Sequence, residues 1–322
     1  MKSKLILFVF LCCIGSNLQA QDTSTYYCNS YALKTVKDSA AFLRKAFFAN
    51  GHWNVLDYYL DGHIKCSGAY NGKNEKNGHF VYYYENGNKF REGNYYKDFR
   101  IGNWMMWYDN TATKSNENYS RDTALIDKMA QDGIASVKLF SVDIAMYFSE
   151  VKGIFKDTSS WYYPNGNIAD REVWTEKLSA LYFWKEDGKK ITIFPKIDDE
   201  NWRHYIEVGP EFKGDLEKLL KANDIKYSRN DAIFDPITNV HFDVHTNGEV
   251  DNITYFPNPR SKKIDSATFD KYKQLVLSTK GMWKVGSLHN LPTDFNTGFG
   301  ATGSIGYFTG WIVRGHVASY NY

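Results

Sequence analysis

The sequence predicts a mostly β protein of the α+β class: antiparallel repeat hairpins form an extended sheet, and a small α+β domain follows. Three observations predict this fold. Aromatic residues make up 17% of the 322 residues, whereas only seven residues are proline, and this composition favours strands. A phrase of aromatic residues, Asn-Gly or Asp-Gly and Lys recurs through the first two thirds of the chain. From Glu211 onward, helical and strand-like periodicities alternate.

The first segment, residues 1–20, is predicted to be a secretory signal peptide. Lys2 and Lys4 precede an apolar run over 5–15, and polar residues ending in the small Ala20 follow. The run is shorter than the roughly 20 apolar residues that cross a bilayer. We therefore expect an exported protein, located in the periplasm or associated with the outer membrane.

The four cysteines divide between the signal and the mature chain. Cys12 and Cys13 follow large apolar residues, whereas a lipidated cysteine follows small ones, so we interpret both as part of the apolar run. Cys28 and Cys66 remain after cleavage, and an exported compartment permits a disulfide between them. The sequence is compatible with a disulfide and with two free thiols.

Export also sets the charge of the mature chain. Removing residues 1–20 takes away two lysines and no acid, so the formal net charge of +2 becomes 0. A neutral chain lacks the basic field that attracts nucleic acid, so no nucleic-acid partner is expected. Peripheral association with a membrane is compatible with this charge. The length predicts two or more domains, preceded by an N-terminal segment with a helix over 21–57.

Residues 58–200 are predicted to form interrupted hairpin repeats. A period near 25 residues indicates an array of small supersecondary units. Positions that recur at an offset of 25 or 24 are Tyr59 and Tyr84, Gly62 and Gly87, Gly68 and Gly93, and Phe80 and Trp104. We expect the recurring rings to form the core between strands.

The turns of the hairpins are predicted from Asp61-Gly62 and Asn86-Gly87, as two-residue turns in which both residues have positive φ. In a third unit, Asn110 takes the place of the turn glycine. A helix-compatible interval follows, and the pattern returns over 159–174 and 182–194.

Rings that vary between units are the better candidates for a binding surface. Tyr96, Phe99 and Trp107 are such rings, and flat rings give a large contact area at low cost in entropy. We predict that these three residues contact a partner.

These units resemble the bacterial MORN-type repeat, which reads aromatic, two residues, Asn/Asp-Gly, a basic residue, then Gly with an aromatic. The resemblance covers 58–110 well and 161–194 loosely. It implies a hairpin sheet used for scaffolding or binding. Similar repeats make up antitoxin-like proteins, but the export signal disfavours a cytoplasmic antitoxin.

The last third of the chain, 211–322, has a different sequence pattern from the repeats. Two helices and an intervening hairpin are predicted there, and Gly281 is predicted to cap the second helix. The residues that carry the pattern are Phe212, Leu216, Leu219 and Leu220 for the first helix, Val240, Phe242 and Val244 for the strand, Asn247-Gly248 for the turn, and Phe269, Tyr272, Leu275 and Val276 for the second helix.

This helix, hairpin, helix, strand order, with the phrases at 240–256 and 282–294, resembles the C-terminal domain of the TonB family over 211–295. Members of that family pair a strand with a segment of an outer-membrane receptor, which is strand addition. Two departures stand out. A cleavable signal replaces the membrane anchor of an energy transducer, and Val285 replaces the usual Pro after Trp-Lys.

Two clusters of polar residues are candidate metal sites. His241, Asp243 and His245 alternate on one strand face, but the outer two would lie about 13 Å apart, too far for one ion, so a solvated outer face is favoured. The acidic turn 198–200 lacks the ligand spacing of a calcium loop. Neither a catalytic motif nor a cofactor motif is present in the sequence.

The sequence therefore predicts a non-catalytic exported envelope protein without cofactor, metal or catalytic residue. It would bind another envelope protein, such as an outer-membrane receptor, through a sheet edge or the aromatic repeat surface. Two alternatives stay open: a glycan- or peptide-binding repeat protein, and a metal-dependent hydrolase that uses His241, Asp243 and His245.

Overall fold

A computed structural model describes residues 23–30, 32–132, 152–191, 203–223, 237–257 and 266–299. Its largest element, here named the repeat sheet, has twelve strands in chain order, each antiparallel to the next. Its strands are β1 Thr23–Cys28, β2 Phe42–Ala49, β3 His52–Tyr58, β4 Ile64–Tyr70, β5 Gly78–Tyr83, β6 Lys89–Tyr96, β7 Phe99–Trp107, β8 Thr113–Tyr119, β9 Asp157–Tyr162, β10 Ile168–Trp174, β11 Leu178–Trp184 and β12 Lys190–Ile191. The prediction of a mostly β protein with a long hairpin sheet is confirmed.

The N-terminal segment forms strands instead of the expected helix. In its described residues, β1, β2 and β3 are joined to the sheet and one 3-10 turn lies at Lys37–Ser39. In β2, Phe42, Arg44 and Ala46 are buried at alternate positions, which is the period of a strand. Pairing on both sides overrides the helix propensity of this Ala- and Lys-containing stretch.

The hairpin turns are longer than predicted. Tyr59 N donates to His63 O (2.8 Å) and Gly62 N donates to Tyr59 O (3.0 Å), so four residues make the turn. Only Gly62 has positive φ, at 97°, while the Asp61 carboxylate accepts a hydrogen bond from His63 N at 3.0 Å. The Asp61 side chain, as hydrogen-bond acceptor, stabilises a turn in which only the final glycine has positive φ. The prediction of a two-residue turn with two positive φ angles is therefore wrong.

The same turn recurs with an Asn or Asp acceptor at five further places. In the third unit Thr111, with φ of 70°, takes the glycine's place, and Asn110 is the acceptor; the predicted role of Asn110 is corrected accordingly. The other acceptors are Asn86, Asn165, Asp187 and Asn247.

The repeat sheet is continuous where the sequence pattern is interrupted. Strand β8 pairs directly with β9, with Ser115 opposite Trp161. The described residues between these two strands include helix α1, Thr123–Asp132, whose Ile126 and Met129 are buried in the sheet's core. The interval is therefore an insertion between two neighbouring hairpins.

Tyrosines just before the turns connect one hairpin to the next. Each hydroxyl donates to a backbone carbonyl of the following unit: Tyr59 to Tyr83 O, Tyr84 to Trp107 O and Tyr108 to Tyr162 O, each at 2.8 Å, and Tyr163 to Trp184 O at 2.9 Å. Of the rings expected in the core, Phe80 and Trp104 are fully buried, whereas Tyr59 and Tyr84 are only partly buried. Their recurrence reflects these bonds as well as packing.

The remaining chain forms smaller sheets, in the orders β13-β18-β19, β14-β17 and β16-β15-β20. A second core lies between the last helix and two of these sheets, β14-β17 and β16-β15-β20, and consists of Val240, Phe242, Val244, Val250, Tyr272, Leu275, Val276 and Trp283. The elements are α2 Arg203–Ile206, β13 Glu207–Val208, β14 Glu211–Phe212, α3 Leu216–Ala222, β15 Ile237–Val244, β16 Val250–Pro257, α4 Ser266–Leu277, β17 Trp283–Lys284, β18 Ser287–Leu288, β19 Leu291–Pro292 and β20 Phe295–Phe299.

The first predicted helix of this region begins later than expected. Phe212 lies in β14, opposite Trp283, and α3 begins after Asp215, whose carboxylate caps Lys218 N at 3.0 Å. The predicted signal peptide (residues 1–20), the acidic residues 198–200 and the tail from 300 lie outside the described residues. Within the described part of the chain, no helix is long and apolar enough to span a membrane.

Cys28 and Cys66 are buried free thiols. Burial raises the pKa of Cys66 to about 12 and raises that of Cys28 above its ordinary value. Because the thiolate is the reactive form, we expect neither thiol to react with Ellman's reagent at pH 8 in the chain from residue 21 onward. Both should react within minutes in guanidinium chloride. Prompt reaction of either thiol in the native protein would contradict this placement.

Candidate functional site

The candidate site arises where the repeat changes its packing. In the first two units a glycine lies nine positions after the pre-turn tyrosine, and a ring of the next hairpin lies over it. A Cβ atom at Gly68 would lie 2.2 Å from the Phe80 ring, and one at Gly93 would lie 2.3 Å from the Trp104 ring. These glycines leave room for a buried ring.

In the next two units the corresponding positions are Glu117 and Glu172, both buried. Glu172 pairs with Ser159 of β9 and with Leu181 of β11, and both side chains are smaller than the rings of the earlier units. Glu117 still pairs with the Trp104 ring of β7. At Glu172, the space that a ring fills in the early repeats therefore holds a carboxylate.

Glu117 has a full set of partners. Its Oε1 accepts from Ser115 Oγ at 2.7 Å, and its Oε2 accepts from Tyr119 OH at 2.6 Å and from Arg100 Nη1 at 3.0 Å. Burial alone would raise the pKa of Glu117, but the Arg100 charge and the hydroxyl donors lower it below its ordinary value. This carboxylate is ionised and satisfied inside the protein.

The C-terminal region contributes a hairpin tip to the same interior. His289 and Asn290 join β18 to β19 as a two-residue turn, with φ of 51° and 59°, the geometry of a tight hairpin. Asn290 Nδ2 donates to Tyr163 OH at 2.9 Å and to Trp184 O at 2.6 Å. The tip is thus bonded to the repeat sheet.

His289 completes a buried cluster with Asp170 and Glu172. Its Nδ1 lies 3.1 Å from Asp170 Oδ2 and 2.8 Å from Glu172 Oε1. The relative exposures are 7% for His289 and 0% for both acids. The imidazole stacks on Trp161 at 3.6 Å between centroids and 6° between planes, and Trp174 Nε1 donates to Glu172 Oε2 at 2.7 Å.

The three groups alter one another's proton affinity. Burial alone lowers the pKa of His289, but the Glu172 charge and the Asp170 hydrogen bond raise it to about 9. Burial and the nearby Glu172 raise the pKa of Asp170 to about 8, against the opposite effect of His289. Burial and Glu172 thus favour the protonated form of Asp170, and the two acids favour the protonated form of His289.

Two carboxylate oxygens of this cluster lack hydrogen-bond donors in the described part of the chain, in contrast to the two oxygens of Glu117. Asp170 Oδ1 has no hydrogen-bond donor among the described residues. Glu172 Oε1 is close to His289 Nδ1, but without the geometry of a hydrogen bond. Buried oxygens of this kind are uncommon in native proteins.

The three predicted partner-binding rings are partly buried in the structure. Tyr96 and Phe99 are cross-strand neighbours packed on the core of the repeat sheet, and Tyr96 OH donates to Asp127 of α1 at 3.2 Å. Trp107 is also partly buried, with Lys89 Nζ 5.7 Å from its ring centroid. Binding of a partner by these rings stays a prediction.

Among the described residues, the three residues of the hydrolase alternative do not form a group that could hold a metal ion. Asp243 is buried and accepts a 2.7 Å hydrogen bond from Asn252, so the expected solvated face is wrong at this position. Its partner Asn252 lies on β16, where the pairing of β15 with β16 shifts register. His245 instead contacts two other acids, with Nε2 2.8 Å from Asp251 and Nδ1 3.1 Å from Asp294.

Sequence reasoning did not find the buried cluster. Asp170 and Glu172 lie in a loosely matching repeat unit, and His289 is 119 residues after Asp170. One signal was available in the repeat position nine residues after the pre-turn tyrosine, where two units have glycine and two have glutamate. That position identifies Glu172 but not its histidine partner.

No protein-family model matches the chain, and a comparison with curated proteins found no similar sequence. The fold and the site therefore define only a structural class, a mostly β protein with a long antiparallel hairpin sheet and a buried carboxylate and histidine cluster.

Proposed function

We propose that this protein is a non-catalytic exported protein of the cell envelope, and that it binds another envelope protein by strand addition at β16. In this proposal residues 1–20 are a signal peptide, 58–200 a MORN-type array and 211–322 a TonB-C-terminal-like domain. One observation carries the proposal. Among the described strands, β16 pairs with β15 alone, so no described strand lies at the other edge of Val250–Pro257, where strand addition would place an extended segment of a partner.

The two halves of β16 differ in how well they could accept a strand. Asp251 and Asn252 are exposed, Asn252 has a φ of 49°, and the pairing with β15 shifts register there. Charges and irregularities of this kind protect an edge from pairing. We therefore expect the partner to bind along the second half, where Thr254 is exposed.

The test is site-specific photocrosslinking in the native envelope. A benzophenone amino acid at Thr254 should give an adduct with one protein, and mass spectrometry should map it to a short extended segment. The control is the same amino acid at Asp270, which is exposed on α4. No adduct at Thr254, or the same adducts from Asp270, would contradict strand addition at β16.

A second candidate, binding of a glycan or peptide by an aromatic surface, is favoured by one ring pair. Phe48 and Trp53 are opposite each other on β2 and β3, with 52% and 45% exposure and ring centroids 5.5 Å apart. On a glycan array, binding that is lost in Trp53→Ala and kept in Trp107→Ala would support this candidate. Equal binding by the wild type and Trp53→Ala would exclude this pair as the contact surface.

A further inference from the structure

We propose that Asp170, Glu172 and His289 bind one divalent transition-metal ion, and that this ion fastens the C-terminal hairpin to the repeat sheet. One ligand atom from each residue lies within 4.8 Å of the other two, and all three residues are buried. This site is separate from β16 and does not depend on which partner that strand binds.

The donor set fits zinc best among the common ions. Zn²⁺ is bound by imidazole nitrogen and carboxylate oxygen at about 2.0–2.2 Å, usually in tetrahedral geometry, while magnesium and calcium favour oxygen alone. Such bonds place two ligand atoms about 3.3–3.6 Å apart. His289 Nδ1 lies 3.1 and 2.8 Å from the two acidic oxygens, so an ion requires them to separate by a few tenths of an ångström.

The neighbouring carboxylate provides an internal comparison. Glu117 occupies the equivalent repeat position, and Ser115, Tyr119 and Arg100 satisfy both of its oxygens. In the candidate site, Glu172 Oε1 lies 2.8 Å from His289 Nδ1 but has no hydrogen-bond partner within the described part of the chain. The repeat sheet can thus satisfy a buried carboxylate with its own side chains, and an ion bound to Glu172 Oε1 would supply the contact that this oxygen lacks.

The surroundings hold the ligands in place. Trp174 Nε1 donates to the second oxygen of Glu172 at 2.7 Å, and Trp161 stacks on the imidazole. Such outer contacts orient metal ligands and affect affinity. Because the ligands are nearly inaccessible to solvent, the ion would be structural, consistent with a non-catalytic protein.

The other histidine between two acids is a useful control. His245 contacts Asp251 through Nε2 and Asp294 through Nδ1. Its two nitrogens point to different acids, so one ion cannot use the same nitrogen with both carboxylates. His245→Gln should therefore leave the bound metal unchanged.

The test uses the full chain, treated with EDTA, desalted and titrated with Zn²⁺. We expect one equivalent of zinc to remain after gel filtration, measured by plasma mass spectrometry. At a free zinc concentration about 100 times Kd, the melting temperature should rise by about 5 °C or more. Asp170→Asn and His289→Gln should each lose the bound equivalent and the thermal shift.

Two further measurements apply if those variants do not fold. Glu117→Gln disturbs a buried carboxylate outside the site, so it should be less stable and still retain one equivalent. In the wild type, bound Co²⁺ should give a visible absorption band typical of a low-symmetry site. Addition of Zn²⁺ should abolish this band. The proposal would be overturned if the wild type retained no zinc. It would also be overturned if the bound equivalent of zinc were lost in His245→Gln and kept in His289→Gln.

Discussion

Arg44→Met is expected to lower the free energy of unfolding by about 3–5 kcal/mol. Arg44 Nε and Nη2 donate to the two oxygens of Asp57 at 2.7 and 2.8 Å, and the side-chain exposures are 9% and 2%. Burial alone would lower the pKa of Arg44, but Asp57 raises it above its ordinary value. Removing the cation leaves a carboxylate buried without its principal partner. Equilibrium unfolding in urea measures the loss.

Two comparisons isolate the effect of burial. Lys89 and Glu92 form an ion pair at the same 2.7 Å, but the lysine is 49% exposed, so Lys89→Met should change stability by less than about 1 kcal/mol. The double variant Arg44→Met, Asp57→Leu should recover most of the loss, because apolar side chains can replace a buried pair. A cost for Arg44→Met no larger than that for Lys89→Met would show that the pair is not buried as described.

Gly93→Ala is expected to cost about 1–3 kcal/mol, the usual range for an overpacked core. The added methyl group would lie 2.3 Å from Trp104, whose ring is fully buried and cannot move aside without disturbing its neighbours. Gly72→Ala is the matched control, because nothing lies within 4 Å of its Cβ position and its φ is not positive.

A double-variant comparison tests the cause of this effect. Trp104→Ala creates a cavity where the ring lay, so Gly93→Ala should cost little in that background, although Trp104→Ala itself is destabilising. If the two substitutions were additive, or if Gly72→Ala were as costly as Gly93→Ala, the glycine would not be required by the ring.

The parts of the fold that depend on local periodicity could be predicted from the sequence. The alternating rings and the Asn-Gly phrases predicted hairpins and the burial of Phe80 and Trp104, because strand period and turn chemistry act over a few residues. The turn type was missed, because the Asp61 side chain replaces a second positive-φ residue as the stabilising element. The helix expected over 21–57 was wrong because sheet pairing overrides local propensity.

The candidate site could not be predicted in the same way, because it depends on long-range contacts. The direct pairing of β8 with β9 leaves only β9 between the strands of Glu117 and Glu172, although the sequence between them breaks the repeat. His289 reaches Asp170 across 119 residues, on a turn without the glycine that usually marks such hairpins. No local pattern contains that contact.

The contact of His289 with Asp170 and Glu172 joins the C-terminal region to the repeat sheet. A double-mutant cycle on Glu172→Gln and His289→Gln, measured by urea unfolding in EDTA, tests it without any metal. We expect a coupling energy above about 1 kcal/mol, as found for residues in contact within one network. Additivity within about 0.5 kcal/mol, the behaviour of distant sites, would contradict this arrangement.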